Sequence, residues 1–152
     1  MTPRYEWHTD PLAPLLRAEL VQLIARIFGG QLPEEAAAEL DYQQARTPLL
    51  IGLAFDGPAL IGYKIGYERK PGHFYSWLGG VLPTYRGQGI ASALMTGQHD
   101  WCRQRGYHTL RTQTYNQWRS MLILNLRHGF DIVGTVQGTR GLTIVLEKKL
   151  VH

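Results

Sequence analysis

The stretch Leu82-Pro83-Thr84-Tyr85-Arg86-Gly87-Gln88-Gly89-Ile90-Ala91-Ser92 decides how the 152-residue chain folds, because it joins an apolar strand to an amphipathic helix through glycine-rich backbone. Upstream, His73 to Val81 reads as a buried strand. Downstream, Ile90, Leu94, Gln98, Trp101 and Cys102 recur at helical spacing, so the glycines stand where a helix begins. A helix start leaves its first amide hydrogens without partners and carries the positive end of the helix dipole. Glycine lets an anion approach such backbone with no Cβ in the way. The turn therefore has the chemistry of a phosphate cradle.

Spacing chooses among the known cradles. A P-loop requires Gly, four residues and then Gly-Lys-Ser/Thr, and this turn holds no lysine. A dinucleotide fingerprint requires three glycines at its own spacing, which the turn lacks. Arg86-Gly87-Gln88-Gly89-Ile90-Ala91 instead resembles the Arg/Gln-x-x-Gly-x-Gly/Ala signature of the GNAT superfamily of N-acetyltransferases, and Val81-Leu82-Pro83 ahead of it strengthens the match. A strand from Thr109 to Thr114 and a helix from Trp118 to His128 follow. His128-Gly129-Phe130 then resembles the Gly-Phe that closes the fourth helix of those enzymes. The resemblance runs from Leu60 to about Lys149; before Leu60 only the order of elements matches.

The resemblance implies acetyl-coenzyme A as co-substrate and calls for no metal. Its pyrophosphate would lie on Arg86, Gly87, Gln88, Gly89, Ile90, Ala91 and Ser92. In that family the strand before the cradle bulges and splays from its parallel neighbour, so that the pantetheine arm pairs with exposed backbone. The matching segment here is Trp77-Leu78-Gly79-Gly80-Val81, with Gly80 inside it. Two glycines in a strand independently mark a bulge or a close backbone approach. The amides of Gly79 and Val81 are expected to grip the arm, and that of Gly79 or Leu78 to face the thioester oxygen.

Acetyl transfer to an amine needs a neutral nucleophile, a donor for the developing oxyanion and an acid for the departing thiolate. Many relatives place Glu or His at the position matched by Tyr75, and a phenol with an ordinary pKa of about 10 is a poor base. His73 and Glu68 are the nearest titratable alternatives, with His73 sharing a strand face with Tyr75 and Trp77 if the pleat is regular. The family's usual acidic tyrosine is replaced by Asn125, which can donate a hydrogen bond to sulfur but cannot protonate it. Tyr115 is a substitute candidate. Asn116 and Ser120 stand near where relatives hold the pantetheine or adenine end. Tyr63, Tyr67, Phe74, Tyr75 and Trp77 either line an acceptor pocket or form one side of the core. Glu34, Glu35, Glu39 and Tyr42 could meet a cationic acceptor, although acidic residues in a first helical turn commonly serve the helix dipole.

Composition sets the bounds. A chain of this length buries a core without staples, so residues 1–152 are expected to form one domain. The single Cys102 cannot make an internal disulfide, and no run approaches the roughly 20 apolar residues of a membrane span. These features point to a cytoplasmic, soluble protein. Sixteen Lys and Arg against twelve Asp and Glu suit an anionic ligand. The basic residues are scattered, which argues against nucleic acid.

The rest of the chain supplies a strand at Arg4 to His8 and a helix from Leu12 to Ile27 that stops at Gly29-Gly30. A second helix runs from Pro33 to about Ala45, and strands at Leu49 to Phe55 and Ala59 to Tyr67 are joined by Asp56-Gly57. Asp131 to Gln137 and Leu142 to Lys149 close it as an antiparallel pair around Gly138-Thr139-Arg140-Gly141. The expected fold is α+β, a GNAT-like α/β/α sandwich with a mixed, mostly antiparallel sheet of six or seven strands and four helices. The expected activity is acetyl transfer to a primary amine of a small molecule or peptide by direct attack in a ternary complex. The alternative is a coenzyme A sensor without efficient catalysis. The final strand pair leaves an edge compatible with a homodimer.

Overall fold

The computed structural model describes residues 1–139 and 141–151; Arg140, in the turn expected between the last two strands, lies outside them. Seven strands form one sheet: β1 (Arg4–His8), β2 (Leu49–Asp56), β3 (Ala59–Lys70), β4 (His73–Val81), β5 (Thr109–Tyr115), β6 (Asp131–Gly138) and β7 (Gly141–Lys149). Their order is β1-β2-β3-β4-β5-β7-β6. Every neighbouring pair is antiparallel except β4 with β5, the pair joined through a helical crossover. The four helices are α1 (Pro14–Phe28), α2 (Pro33–Arg46), α3 (Ile90–Gln104) and α4 (Arg119–Arg127).

Strand alternation separates the two faces. On β3, Tyr63 faces α1, since the space beside it at Gly80 is filled by Ile27. Gly62, Lys64 and Gly66 face α3, where a Cβ at Gly62 would meet Ile90 and one at Gly66 would meet Gln98. Leu20, Ile24 and Leu40 close the α1–α2 side, and burying each aliphatic side chain contributes about 1.5–3 kcal/mol. On the other face Phe74, Met95, Cys102, Leu110 and Leu146 form a second cluster. Trp7 wedges between β2 and α3, its ring filling the space above Gly52 and Gly97. The helical stripe read from sequence is buried at Ile90, Leu94, Gln98 and Cys102, whereas Trp101 lies at the margin.

Helix starts follow their local chemistry. Pro14 and Pro33 occupy first-turn positions where no amide partner is lost. The Glu35 carboxylate accepts from the Leu32 amide at 3.3 Å, closing the entry to α2. Glu34 and Glu35 thus lie in the first turn of that helix, as dipole compensation requires.

Candidate active site

β4 and β5 part company midway. They pair from His73–Thr109 to Ser76–Thr112 and no further. The buried Thr112 hydroxyl donates to the Ser76 carbonyl at 2.9 Å and closes the vertex. β3 and β7 continue alongside their partners, so the parting opens a slot without unravelling the sheet. The bulge expected within Trp77–Val81 falls at its first residue: Ile65 opposes Leu78 and Gly66 opposes Ser76, leaving Trp77 as the extra residue. The glycines keep register with Lys64 and Tyr63 and serve close approach instead. The bulge puts both Trp77 and Leu78 against the α1-side core and turns Gly79 toward α3.

The Leu82 amide donates to the Ile61 carbonyl at 2.9 Å. By antiparallel alternation the amides of Val81 and Gly79 then point away from β3, into the slot. Arg86 Nε donates to the Val81 carbonyl at 3.1 Å, bracing the strand end against the following turn. A short 3-10 turn, Pro83–Tyr85, is pinned to the β2–β3 hairpin where the Tyr85 hydroxyl donates to Asp56 at 2.7 Å.

The cradle follows. Gly87 and Gly89 hold φ of +77° and +82°, and a Cβ at either would point into open space. Their need is for conformation, not room. The helical ladder of α3 begins with the Ala93 amide on the Gly89 carbonyl at 3.0 Å, so the amides from Gly87 to Ser92 precede it. This backbone fits a pyrophosphate: six consecutive donors and a helix N-terminus in one place, with no side chain covering the glycines. Arg86 is exposed beside it, and the Ser92 hydroxyl lies 2.8 Å from His128 Nε2, tying the start of α3 to the end of α4.

The remaining candidates fall into separate places. Asn125 is buried on α4, 2 % exposed, with its backbone carbonyl accepting from His128 and Phe130, which rules out a solvent-facing residue. Asn116 and Ser120 are exposed, in the β5–α4 turn and the first turn of α4. Tyr75 stands one residue before the vertex, its ring 5.5 Å from that of Tyr67, and burial pushes its phenol up to about 12. Glu68 accepts from the Tyr107 hydroxyl at 2.9 Å. His73 begins β4, its ring 4.9 Å from His108, and slight desolvation followed by the charge of Lys70 lowers its pKa. The structure therefore brings Gly79, Gly80, Val81 and the cradle together but sets His73 and Glu68 at the paired end of β4.

Two features escape the sequence reading. Arg111 and Glu147 form an ion pair with N···O of 2.6 Å, and Arg111 is the register partner of Tyr75. Burial alone would raise the Glu147 carboxyl, but the Arg111 hydrogen bond and charge outweigh it and hold the pKa low. The second is Lys64, whose ammonium is brought down to about 8 by burial. Its signal was a lone charge in the apolar run Ile61-Gly62-Tyr63-Lys64-Ile65.

The family model for the acetyltransferase (GNAT) family matches residues 17–130, three quarters of the chain and all of the slot and cradle. The chain belongs to the GNAT acetyltransferase family. It is thus an acetyl-coenzyme A-dependent N-acetyltransferase. No curated protein matches it. The GNAT chain superposes on aminoglycoside 6'-acetyltransferase type Ii with a TM-score of 0.83 at 17 % identity, covering 100 % of this chain and 99 % of that one. For the ribosomal-protein-S18-alanine N-acetyltransferase of Escherichia coli the TM-score is 0.79 at 16 % identity, over 98 % and 96 % of the two chains. A PaiA N-acetyltransferase from Thermoplasma acidophilum, solved in complex with coenzyme A, gives 0.72 at 15 % identity over 96 % and 99 %. These likenesses show the GNAT fold, the seven-stranded mixed sheet with four helices expected from the sequence. Among the described residues no helix is long and apolar enough to cross a membrane.

Proposed function

We propose that residues 1–152 form one catalytic domain that transfers the acetyl group directly from acetyl-coenzyme A to a primary amine while both are bound. The observation that carries this reading is the slot between β4 and β5, which opens onto the glycine cradle. Pyrophosphate rests on the amides of Gly87 to Ser92, with Arg86 alongside, and the pantetheine arm takes the place of the missing β5 rungs against Gly79 and Val81. The Gly79 amide, next to the bulge, receives the thioester oxygen, since alternation turns the other candidate amide, that of Leu78, toward β3. Asn125 donates a hydrogen bond near the sulfur. Asn116 and Ser120 line the outer rim.

The acceptor enters from the α1 face, over the rings of Tyr67, Tyr75 and Trp77; Tyr67 lies 5.5 Å from Tyr75 and 6.1 Å from Trp77. Ring faces attract an ammonium group. Tyr75 then relays a proton to water rather than acting as a base, and His73 and Glu68 influence the reaction only through that water. The structural neighbours include an enzyme named for an aminoglycoside and one named for a ribosomal-protein alanine. Both a small polyamine or antibiotic amine and a peptide amine are accordingly acceptor classes to test. The exposed β6 edge, carrying Ile132, Val133 and Val136, would pair with a second copy in a homodimer.

Calorimetric titration with acetyl-coenzyme A, followed by a thiol-release screen over polyamines, aminoglycosides and peptides, tests the reading. Micromolar binding with amine-dependent release supports it. Binding without release across all three amine classes would count for a coenzyme A sensor.

A further inference from the structure

Lys64 stands in the middle of β3 among buried residues and is itself 8 % exposed. It opposes Gly79, on the α3 face of the sheet. Its side chain runs across that glycine: a Cβ added there would lie 3.4 Å from Lys64 Cδ and 3.5 Å from Nζ. Gly79 is the residue whose amide faces the slot, so the ammonium reaches the slot's floor over backbone that carries no side chain. Lys64, Gly79, Gly80 and Val81 line one small cavity there, closed from above by Met121 and Leu124 of α4.

A buried ammonium normally has an anion beside it. Among the described residues Lys64 makes no salt bridge. The titratable groups whose fields overlap with it are His99 on α3 and His128 after α4, and Lys148 on β7 lies 3.0 Å from His99. All are bases. An imidazole is neutral or cationic and cannot supply the missing negative charge; burial, with the charges of Lys148 and Lys64 adding to it, lowers both histidines and favours their neutral form. The site is a preformed positive centre awaiting an anion.

We propose that the Lys64 ammonium meets the coenzyme A sulfur and protonates it as the thiolate departs. This rests on the assignment of the slot to acetyl-coenzyme A. The acceptor nitrogen forms a bond to the carbonyl carbon, the carbon–sulfur bond breaks with both electrons on sulfur, and sulfur takes a proton from Nζ. The acceptor nitrogen releases one proton to water, and the neutral amine of Lys64 regains one, so the cycle closes on an amide and a thiol. An ammonium brought down to about 8 is charged at neutral pH and surrenders its proton readily. It supplies what Asn125 cannot.

The test uses coenzyme A and its desulfo analogue with the wild-type protein, Lys64→Met and Lys64→Arg. Thiol ionisation of bound coenzyme A is followed by ultraviolet thiolate absorbance against pH. In the wild type the bound thiol should ionise at least about tenfold more readily than free thiol, as a neighbouring opposite charge dictates. Lys64→Met should lose that shift while its affinity for desulfo-coenzyme A stays within about twofold, because only the sulfur partner is gone. Lys64→Arg should retain it, since the guanidinium remains a cation. An identical thiol pKa in wild type and Lys64→Met, with coenzyme A bound to both, would overturn the proposal. An acetyl group found on Lys64 after incubation with acetyl-coenzyme A would overturn it too, making the residue a nucleophile. Failure of the wild type to bind either ligand would instead overturn the slot assignment on which it rests.

Discussion

Along β4, residues His73–Ser76 have a strand on both sides, whereas Trp77–Val81 have one on the β3 side only. The first half spends its hydrogen bonds on β5 and is finished structure. The second half holds the Gly79 and Val81 amides away from β3 with no strand to receive them, directly before six more amides in the cradle. Backbone donors not satisfied within the fold must be met by water or ligand. The difference teaches that the site is made chiefly by where pairing stops, and only secondarily by which side chains surround it.

The strongest way to break the comparison is Gly89→Val. A β-branched residue resists φ of +82°, so the cradle amides would turn from their common focus. Affinity for acetyl-coenzyme A should fall by at least about a hundredfold, roughly 2.7 kcal/mol, with circular dichroism unchanged. Calorimetry showing unaltered affinity would detach the cradle from coenzyme binding.

Lys64→Met sharpens the contrast from the opposite direction, because it removes a buried charge from the open half. The apoprotein should gain on the order of 1–3 kcal/mol in denaturant unfolding while losing its hold on the thiolate. In the wild type Lys64 has an ordinary value of 10.5 when unfolded and about 8 when folded. Between these values the unfolded state holds more protons, so stability from this group rises as pH increases through the window; Lys64→Met should show no such rise. A turnover rate limited by thiolate departure should fall as pH rises through about 8, where the acid loses its proton. Lys64→Arg should flatten that limb.

Much of this is legible in the sequence. The cradle announces itself because glycine, helix periodicity and a preceding strand each report the same turn, and the order of elements from Arg4 to Lys149 follows from alternation and breakers. The segment Trp77–Val81 does contain the bulge, at Trp77, while its glycines serve close approach; sequence marks the segment but not the residue at which register slips. Arg111–Glu147 joins residues 36 apart through the sheet order, which no local pattern encodes. In the sequence Lys64 is one of the scattered basic residues, and a lysine in a strand ordinarily snorkels to water; only the α3–α4 roof shows that this one does not.

Thr112→Val tests the closed half. It removes the hydroxyl that meets the Ser76 carbonyl and should destabilise the fold by about 1–2 kcal/mol, with a smaller effect on coenzyme affinity than Gly89→Val. A larger loss of affinity than of stability would show that the vertex belongs functionally to the open half. The smallest effect is expected from Tyr85→Phe, which loosens the turn from Asp56 and should weaken coenzyme binding by no more than about fivefold.

The most direct measurement is amide hydrogen exchange, resolved by residue, with and without acetyl-coenzyme A. The account predicts new protection at Gly79, Val81 and Gly87 to Ser92, and none at Phe74 to Ser76, whose ladder is already complete. Protection absent from the open half of β4 and the cradle, or concentrated elsewhere in the sheet, would contradict it.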